Sequence, residues 1–133
     1  MKLMPRRYVL AMVLYCTGIF YISSISDPPG TVYSFPGQDK AAHFAVYAGL
    51  AAIASFGIRR SPGERAVGWV QLGVPLALAG LYGLSNEIHQ CFVPGRSFEF
   101  LDLSADVLGA LVIQWILCFK VWHIDLVEAP GKT

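Results

Sequence analysis

The chain has 133 residues, of which 55% are hydrophobic and only 14% are charged, and its formal net charge is +1. A water-soluble domain usually carries about 25% charged residues, so this composition argues against a soluble domain and favours one membrane-embedded unit over residues 1–133. The basic residues form no stripe of the kind that binds nucleic acid, and we expect no nucleic-acid partner.

Four long apolar segments predict four transmembrane helices, each near the roughly 20 residues that a bilayer crossing needs. The first segment follows a basic start, a pattern that also describes a signal peptide, and we interpret it as a retained helix. Pro75 lies inside the third segment and is expected to kink it, because proline removes one helical hydrogen bond. The predicted helices cover residues 8–26, 40–58, 66–86 and 103–122.

Small residues recur every four positions on three of these helices, a spacing that lets another helix approach closely. We therefore expect tight helix packing at these positions. They are Ala41, Ala45 and Gly49 on the second helix, Ala79 and Gly83 on the third, and Ala105 and Gly109 on the fourth.

Lysine and arginine accumulate on one side of this arrangement, and such residues mark the cytoplasmic side of a membrane protein. Only Lys40 and Arg96 fall on the other side. The sequence thus predicts an all-α, four-helix transmembrane bundle in the cytoplasmic (inner) membrane, multi-pass, with both termini cytoplasmic. Residues 27–39 and 87–102 then face outward together. The residues on the cytoplasmic side are Lys2, Arg6, Arg7, Arg59, Arg60, Arg65, Lys120 and Lys132.

The polar residues of the apolar part of the chain are predicted to meet at the outward end of the bundle. Residues four apart share one face of a helix, and ionisable residues at membrane depth are functional candidates. We further expect the side chain of His43 to reach at least one of Glu87, Asp102 and Asp106. The predicted cluster comprises Asp39, Lys40, His43, Tyr47, Glu87, His89, Gln90, Arg96, Asp102 and Asp106.

Several of these residues also have a purely structural interpretation. Asp39 and Asp102 stand at helix starts, where a carboxylate caps free N–H groups and suits the positive end of the helix dipole. His43 can equally be a hydrogen-bonded core histidine. Glu99, between two phenylalanines, is interpreted as part of an interfacial segment. Asp106 is the hardest to explain in this way, because it lies about 6 Å deeper than Asp102 on the same face of an apolar helix.

Four carboxylates against two permanent cations leave the predicted cluster at a net charge of −2 with neutral histidines. The excess must be met by protons, by a charged histidine or by a bound cation. Because a guanidinium can bridge two carboxylates in a fixed fork, we predict that Arg96 pairs with Glu87, Asp102 or Asp106 and closes the outward end of the bundle.

No motif assigns a metal, a cofactor or a reaction. The His, Asp and Glu side chains are of types that ligate divalent metals, but their spacing matches no metal motif, and we predict neither metal nor cofactor. Neither a nucleophile elbow nor a glycine-rich phosphate loop is present. Cys16, Cys91 and Cys118 are odd in number and widely separated, which fits small hydrophobic residues better than disulfides or a zinc knuckle.

Three motifs resemble the VanZ-like family of small bacterial membrane proteins. They are Asp39-Lys40-x-x-His43-Phe44-x-x-Tyr47, then Asn86-Glu87-Ile88-His89-Gln90 with Pro94-Gly95-Arg96-Ser97, then Leu101-Asp102-x-x-x-Asp106-x-x-Gly109. The last motif of the family more often has Asn where this chain has Asp106. The family is named for its association with low-level glycopeptide (teicoplanin) resistance, so the resemblance implies a multi-spanning membrane protein with a cell-envelope role.

Three functions are compatible with the sequence. The first is a non-catalytic subunit or modulator of an envelope or other membrane complex, whose polar cluster presents an outward surface to other membrane protein subunits. The second is an outward-facing site that binds or modifies a lipid-linked or cell-wall-related ligand, with His43 or Glu87 for proton transfer and Arg96 for an anionic group. The third is proton or ion passage, which would require an oligomer. Small size and the lack of catalytic motifs favour the first, and membrane lipids surround the protein in all three.

Overall fold

The computed structural model describes residues 4–26, 36–61 and 68–123, and all regular structure within them is helical. Helix α1 spans Arg6–Ser23, α2 spans Gln38–Arg59, α3 spans Gly68–Gln90 and α4 spans Phe100–Trp115. A π-helical segment, Ile116–Val121, continues α4. The predicted all-α architecture with four helices is therefore confirmed for the described residues.

The four helices alternate in direction, so that each end of the bundle has a distinct composition. At one end, which we call the polar end, Ser23 at the end of α1 donates to Asn86 near the end of α3 at 2.7 Å. The starts of α2 and α4 meet there through His43 and Asp106. At the opposite, basic end, the guanidinium of Arg59 stacks 4.9 Å from the ring centroid of Trp122, a cation–π contact.

Two helices are long and apolar enough to cross a membrane, namely Gln38–Arg59 and the continuous segment Phe100–Val121. Only 33% and 39% of the residues in their most apolar windows are buried inside the protein. On the second of these helices, large apolar side chains such as Leu101, Leu108 and Trp115 are exposed, as expected of a helix that faces lipid. The crossing of the membrane by all four helices and the cytoplasmic location of both termini remain predictions. Lys2, Arg65, Lys132 and residues 27–35, which entered the orientation argument, lie outside the described residues.

Helix ends differ from the predicted bounds mainly in α3, which continues to Gln90 instead of ending at residue 86. None of residues 86–90 breaks a helix, and the first breaking pair is Pro94-Gly95, where Gly95 has a positive φ of 79°. Glu87, His89 and Gln90 are consequently held on the last turn of a helix and not on a loop. Pro75 is accommodated inside this helix, as predicted.

The closest helix approach is between α2 and α4. A Cβ atom on Gly109 would overlap the backbone carbonyl of Phe44, so only glycine permits this separation of the two helices. Gly83 lies against the side chains of Asp106 and Tyr47. The predicted stripe on α2 is wrong in part: Ala41 and Ala45 are exposed, whereas Gly49 lies against Tyr15 of α1.

A buried polar network holds α2, α3 and α4 together nearer the basic end. Ser55 Oγ donates to Gln114 Oε1 at 2.8 Å, and Gln114 Nε2 donates to the carbonyl of Ala51 at 3.2 Å. Gln71 Nε2 donates to the carbonyl of Ser55 at 2.9 Å. These three side chains are at most 1% exposed, so the hydrogen bonds offset much of the cost of burying them. Gln71 Oε1 has no partner among the described residues.

We predict that Gly109→Ala destabilises the protein by about 1–3 kcal/mol, the usual cost of overpacking, because the new methyl group must push α4 away from α2. Gly73→Ala is the matched control, since a Cβ there meets none of the described residues within 4 Å and alanine favours a helix. Thermal melts in detergent compare the two variants. A Gly109→Ala protein that melts at or above the wild-type temperature would contradict the close approach of α2 and α4.

The orientation can be tested with an impermeant thiol reagent on intact cells. Cys91 is exposed and follows α3 at the polar end, so a variant that keeps only Cys91 should be labelled without opening the membrane. In a cysteine-free background, Ser61→Cys at the basic end should be labelled only after the membrane is opened. The reverse pattern would show that the polar end faces the cytoplasm.

Candidate functional site

The first turns of α2 and α4 and the last turn of α3 bring the polar cluster together. Asp39 and Asp102 both lie in the first turn of their helices, where the helix dipole favours a carboxylate. Residues one turn deeper, His43 and Asp106, extend the cluster into the apolar part of the bundle. The cluster has an outer part around Lys40 and an inner part around His43.

The outer part is built around the ammonium group of Lys40. Its Nζ lies 2.6 Å from Asp39 Oδ2, 2.6 Å from Glu99 Oε2 and 2.8 Å from Asp102 Oδ1. One cation therefore contacts three carboxylates that come from α2, from the segment before α4 and from α4 itself. The N-cap residues of α2 and α4 are Gly37 and Glu99. Asp39 and Asp102 lie within the first turns and hold Lys40 in place.

The inner part is built around His43, whose side chain is 18% exposed. Its Nδ1 shares a hydrogen bond of 2.9 Å with Oδ1 of Asp106, and its Nε2 lies 3.6 Å from Asp102 Oδ2. Asp106 is fully buried. The prediction that His43 reaches at least one of the three acids is confirmed, and His43 links the inner and outer parts.

Glu87 is also fully buried, and its carboxylate is held by neighbours from two directions. Its Oε2 accepts a hydrogen bond from the backbone N–H of Glu99 at 3.0 Å. Its Oε1 accepts one from Gln90 Nε2 at 3.3 Å. Glu87 therefore ties the end of α3 to the segment that precedes α4, while the partners of both oxygens leave further lone pairs available.

Acidic groups outnumber cations at this end of the bundle. In the outer part, Lys40 is the one cation in contact with three carboxylates, those of Asp39, Glu99 and Asp102. In the inner part, the titratable His43 is the only basic side chain among the described residues near the two carboxylates, those of Glu87 and Asp106. Buried carboxylates without a compensating charge are strongly disfavoured. Ionised in full, the cluster has a surplus of negative charge that protons or a cation must balance.

Arg96 does not close the cluster, and its predicted pairing with Glu87, Asp102 or Asp106 is wrong. Its guanidinium instead donates to the backbone carbonyl of Ile25 at 3.4 Å, on the α1 side of the bundle. The Nε of Arg96 is buried and has no hydrogen-bond partner within the described part of the chain. The physical reason is that the first turn of α2 places Lys40 in contact with Asp102. Asp102 is the acid of α4 nearest to the loop that carries Arg96.

His89 also lies outside the inner and outer parts. Its Nε2 shares a hydrogen bond of 3.0 Å with Ser24 Oγ, and its ring lies 4.5 Å from that of Phe20. His89 therefore attaches α3 to the end of α1 instead of contributing to the acid cluster.

A cavity of about 420 Å³ lies beside the cluster, between α1, α2 and α3. Apolar residues of α1 and α2, among them Ile19 and Val46, form much of its lining, together with Gly18. Polar groups come from the polar end of the bundle. They are Ser23, His43, Tyr47, Asn86, Gln90 and Arg96.

Sequence reasoning missed three residues that complete this region. Glu99 was interpreted as interfacial, yet its carboxylate binds Lys40 and its backbone binds Glu87. The sequence could have placed Glu99 in the cluster, because Glu99 precedes Asp102 by three residues and residues three apart lie on the same side of a helix. Ser23 and Asn86 form a buried pair between α1 and α3, and nothing in the sequence indicates that these two distant positions meet.

The helical architecture, the two apolar helices and the buried polar end define a small helical membrane protein. The profile of the VanZ/LLP1 family matches residues 3–122, and the chain therefore belongs to the VanZ/LLP1 family. Comparisons with curated proteins and with solved structures each found no match.

Lys40→Met tests the outer part of the cluster. The variant keeps the length of the side chain but leaves the nearly buried carboxylate of Asp102 without its cation, which should destabilise the protein by about 1–3 kcal/mol. Lys120→Met is the matched control, because Lys120 is exposed and its Nζ contacts the ring of Trp115. Thermal melts in detergent measure both, and equal melting temperatures would contradict a stabilising role of Lys40.

Proposed function

We propose that this protein is a non-catalytic modulator of the bacterial cell envelope that binds a lipid-linked phosphate in the cavity between α1, α2 and α3. The observation that carries the proposal is the position of Arg96. It places a guanidinium, unpaired with any carboxylate of the described residues, on the lining of a largely apolar cavity.

The shape and composition of the cavity support an amphipathic ligand. Pockets that bind small ligands usually have volumes of about 300–1,000 Å³ and mostly apolar walls with a few convergent polar groups. The observed volume of about 420 Å³ lies in that range. Ile19 and Val46 suit an acyl or isoprenoid chain, while Asn86 and Arg96 supply hydrogen-bond donors for a polar head.

Charge complementarity supports an anionic head group. The surplus of carboxylates in the cluster would repel a phosphate, but the ammonium group of Lys40 already forms ion pairs with the three outer carboxylates. Arg96 is held instead on the α1 side by Ile25, and its buried Nε lacks a partner. An arginine with free donors binds phosphate through two parallel hydrogen bonds.

We further propose that all four helices cross the cytoplasmic membrane, that both termini are cytoplasmic and that the cavity opens toward the outer face. The alternating helix directions and the basic residues at the opposite end support this topology. Exposed Phe92, Phe98 and Phe100 at the polar end suit the depth of the lipid head groups, where aromatic rings are favoured.

Two other functions stay hypotheses. A subunit role in a larger membrane complex would use the polar end as a docking surface, and identifying what co-purifies under mild conditions, protein or lipid, separates it from lipid binding. Proton or ion passage would require several copies of the chain.

Lipid binding can be measured by native mass spectrometry of the purified protein in detergent. We expect the two anionic lipids, a polyprenyl phosphate and phosphatidylglycerol, to bind more tightly than phosphatidylcholine. Whichever of the two anionic lipids binds more tightly then shows whether the ligand is a polyprenyl carrier or a membrane phospholipid. Arg96→Gln should weaken anionic-lipid binding by about ten- to hundredfold, since a charge-assisted hydrogen bond contributes about 1.5–3 kcal/mol, while its melting temperature stays near that of the wild type.

A cavity-filling variant tests the apolar part of the site. Gly18 lines the cavity and a Cβ there meets no described residue within 4 Å, so Gly18→Leu should fold normally and bind none of the three lipids. Gly73→Leu, equally unobstructed but away from the cavity, should bind as the wild type does. If Gly18→Leu binds lipid normally, or if the wild type shows no preference for an anionic head, the proposed function is wrong.

A further inference from the structure

The cluster contains two groups of three ligand-type side chains, and only one of them has a cation of its own. The outer trio is Asp39, Glu99 and Asp102, and the inner trio is His43, Glu87 and Asp106. Within each trio, one potential ligand atom per residue lies within 4.8 Å of the other two. Lys40 Nζ sits among the acids of the outer trio. The inner trio has no lysine or arginine in contact among the described residues.

We propose that the inner trio of His43, Glu87 and Asp106 binds one divalent transition-metal ion of the Zn²⁺ type. One imidazole nitrogen and two carboxylate oxygens are ligands that Zn²⁺ accepts, with bonds of about 2.0–2.2 Å and a further position for water or substrate. Ligand atoms within 4.8 Å of one another need only side-chain adjustments to converge on a single ion. The inference goes beyond lipid binding and does not depend on it.

Two buried atoms, one in the trio and one beside it, lack a hydrogen-bond partner among the described residues, and a bound metal ion with its water would give both a partner. Within the described part of the chain, Oδ2 of the fully buried Asp106 has no hydrogen bond, and neither has the hydroxyl of Tyr47, a residue that is only 1% exposed. Tyr47 lies one turn after His43, its ring parallel to the imidazole with centroids 6.4 Å apart. Gly83 is flanked by both Asp106 Oδ2 and the Tyr47 ring. A metal would ligate Asp106 Oδ2, and a metal-bound water would give the Tyr47 hydroxyl a partner.

Charge balance favours the same conclusion. With both carboxylates ionised and the imidazole neutral, the inner trio carries −2, which a divalent ion neutralises. The competing explanation is a set of protons, with a charged His43 between Asp106 and Asp102 and a protonated Glu87. A proton on His43 satisfies Asp106 Oδ1 but leaves Asp106 Oδ2 and the Tyr47 hydroxyl without partners among the residues that the structure describes.

The test uses the full chain in detergent, stripped with a chelator and titrated with ZnCl₂ by calorimetry with no lipid added. We expect one Zn²⁺ per chain and at least a tenfold loss of affinity in both Glu87→Gln and Asp106→Asn, which preserve side-chain shape. Asp39→Asn in the outer trio and His89→Gln beside α1 are matched controls and should bind as the wild type does.

X-ray absorption of the Zn²⁺-loaded wild type gives a readout that needs no variant, and should show one imidazole with oxygen ligands. The proposal is wrong if the wild type binds no Zn²⁺, if Glu87→Gln and Asp106→Asn bind it unchanged, if His89→Gln abolishes binding, or if the spectrum shows a thiolate sulfur from a cysteine.

Discussion

The backbone contact between Phe44 on α2 and Gly109 on α4 is the constraint on which the polar end depends. Because Gly109 has no side chain, the two helices approach until the carbonyl of Phe44 occupies the space of a Cβ. His43 is the neighbour of Phe44 in sequence, and Asp106 lies one turn before Gly109. The same approach that packs the apolar helices therefore brings an imidazole within 2.9 Å of a fully buried carboxylate.

This arrangement concentrates negative charge in a region from which water is largely excluded. The groups that balance this charge differ between the outer and the inner part of the cluster. Near the helix starts, Lys40 contacts three carboxylates and is itself 29% exposed. One turn deeper, Glu87 and Asp106 are inaccessible to solvent, and among the described residues the nearest basic group is an imidazole. A buried polar network stabilises a fold only when its members are satisfied, and among the described residues neither Asp106 Oδ2 nor the neighbouring Tyr47 hydroxyl has a hydrogen-bond partner.

The cavity and the cluster share His43 but have opposite electrostatic character. The cluster is acidic, whereas the lining of the cavity is apolar with Arg96 on it. Arg96 is separated from the acids because Lys40 lies beside the outer carboxylates, in the position that an arginine of the loop would otherwise take. Had Arg96 paired with Asp102, the cavity would offer no cation to an anionic head group.

The sequence by itself determined the helices, the family and the side chains that share a helix face. Periodicity places His43 above Tyr47 and Asp102 above Asp106, since residues four apart follow from the helical repeat alone. The predicted contact of His43 with an acid is correct for the same reason. A second reason is the cost of leaving polar groups unpaired in an apolar environment.

Only the tertiary structure decided which partner each charge takes. Arg96 and Lys40 are both outward cations in the sequence, and their roles differ because Lys40 is fixed on the first turn of α2 while Arg96 follows a Pro-Gly turn that leads toward α1. The pairing of Ser23 with Asn86 joins positions 63 residues apart. Such contacts depend on helix direction and separation in three dimensions, which local periodicity does not encode.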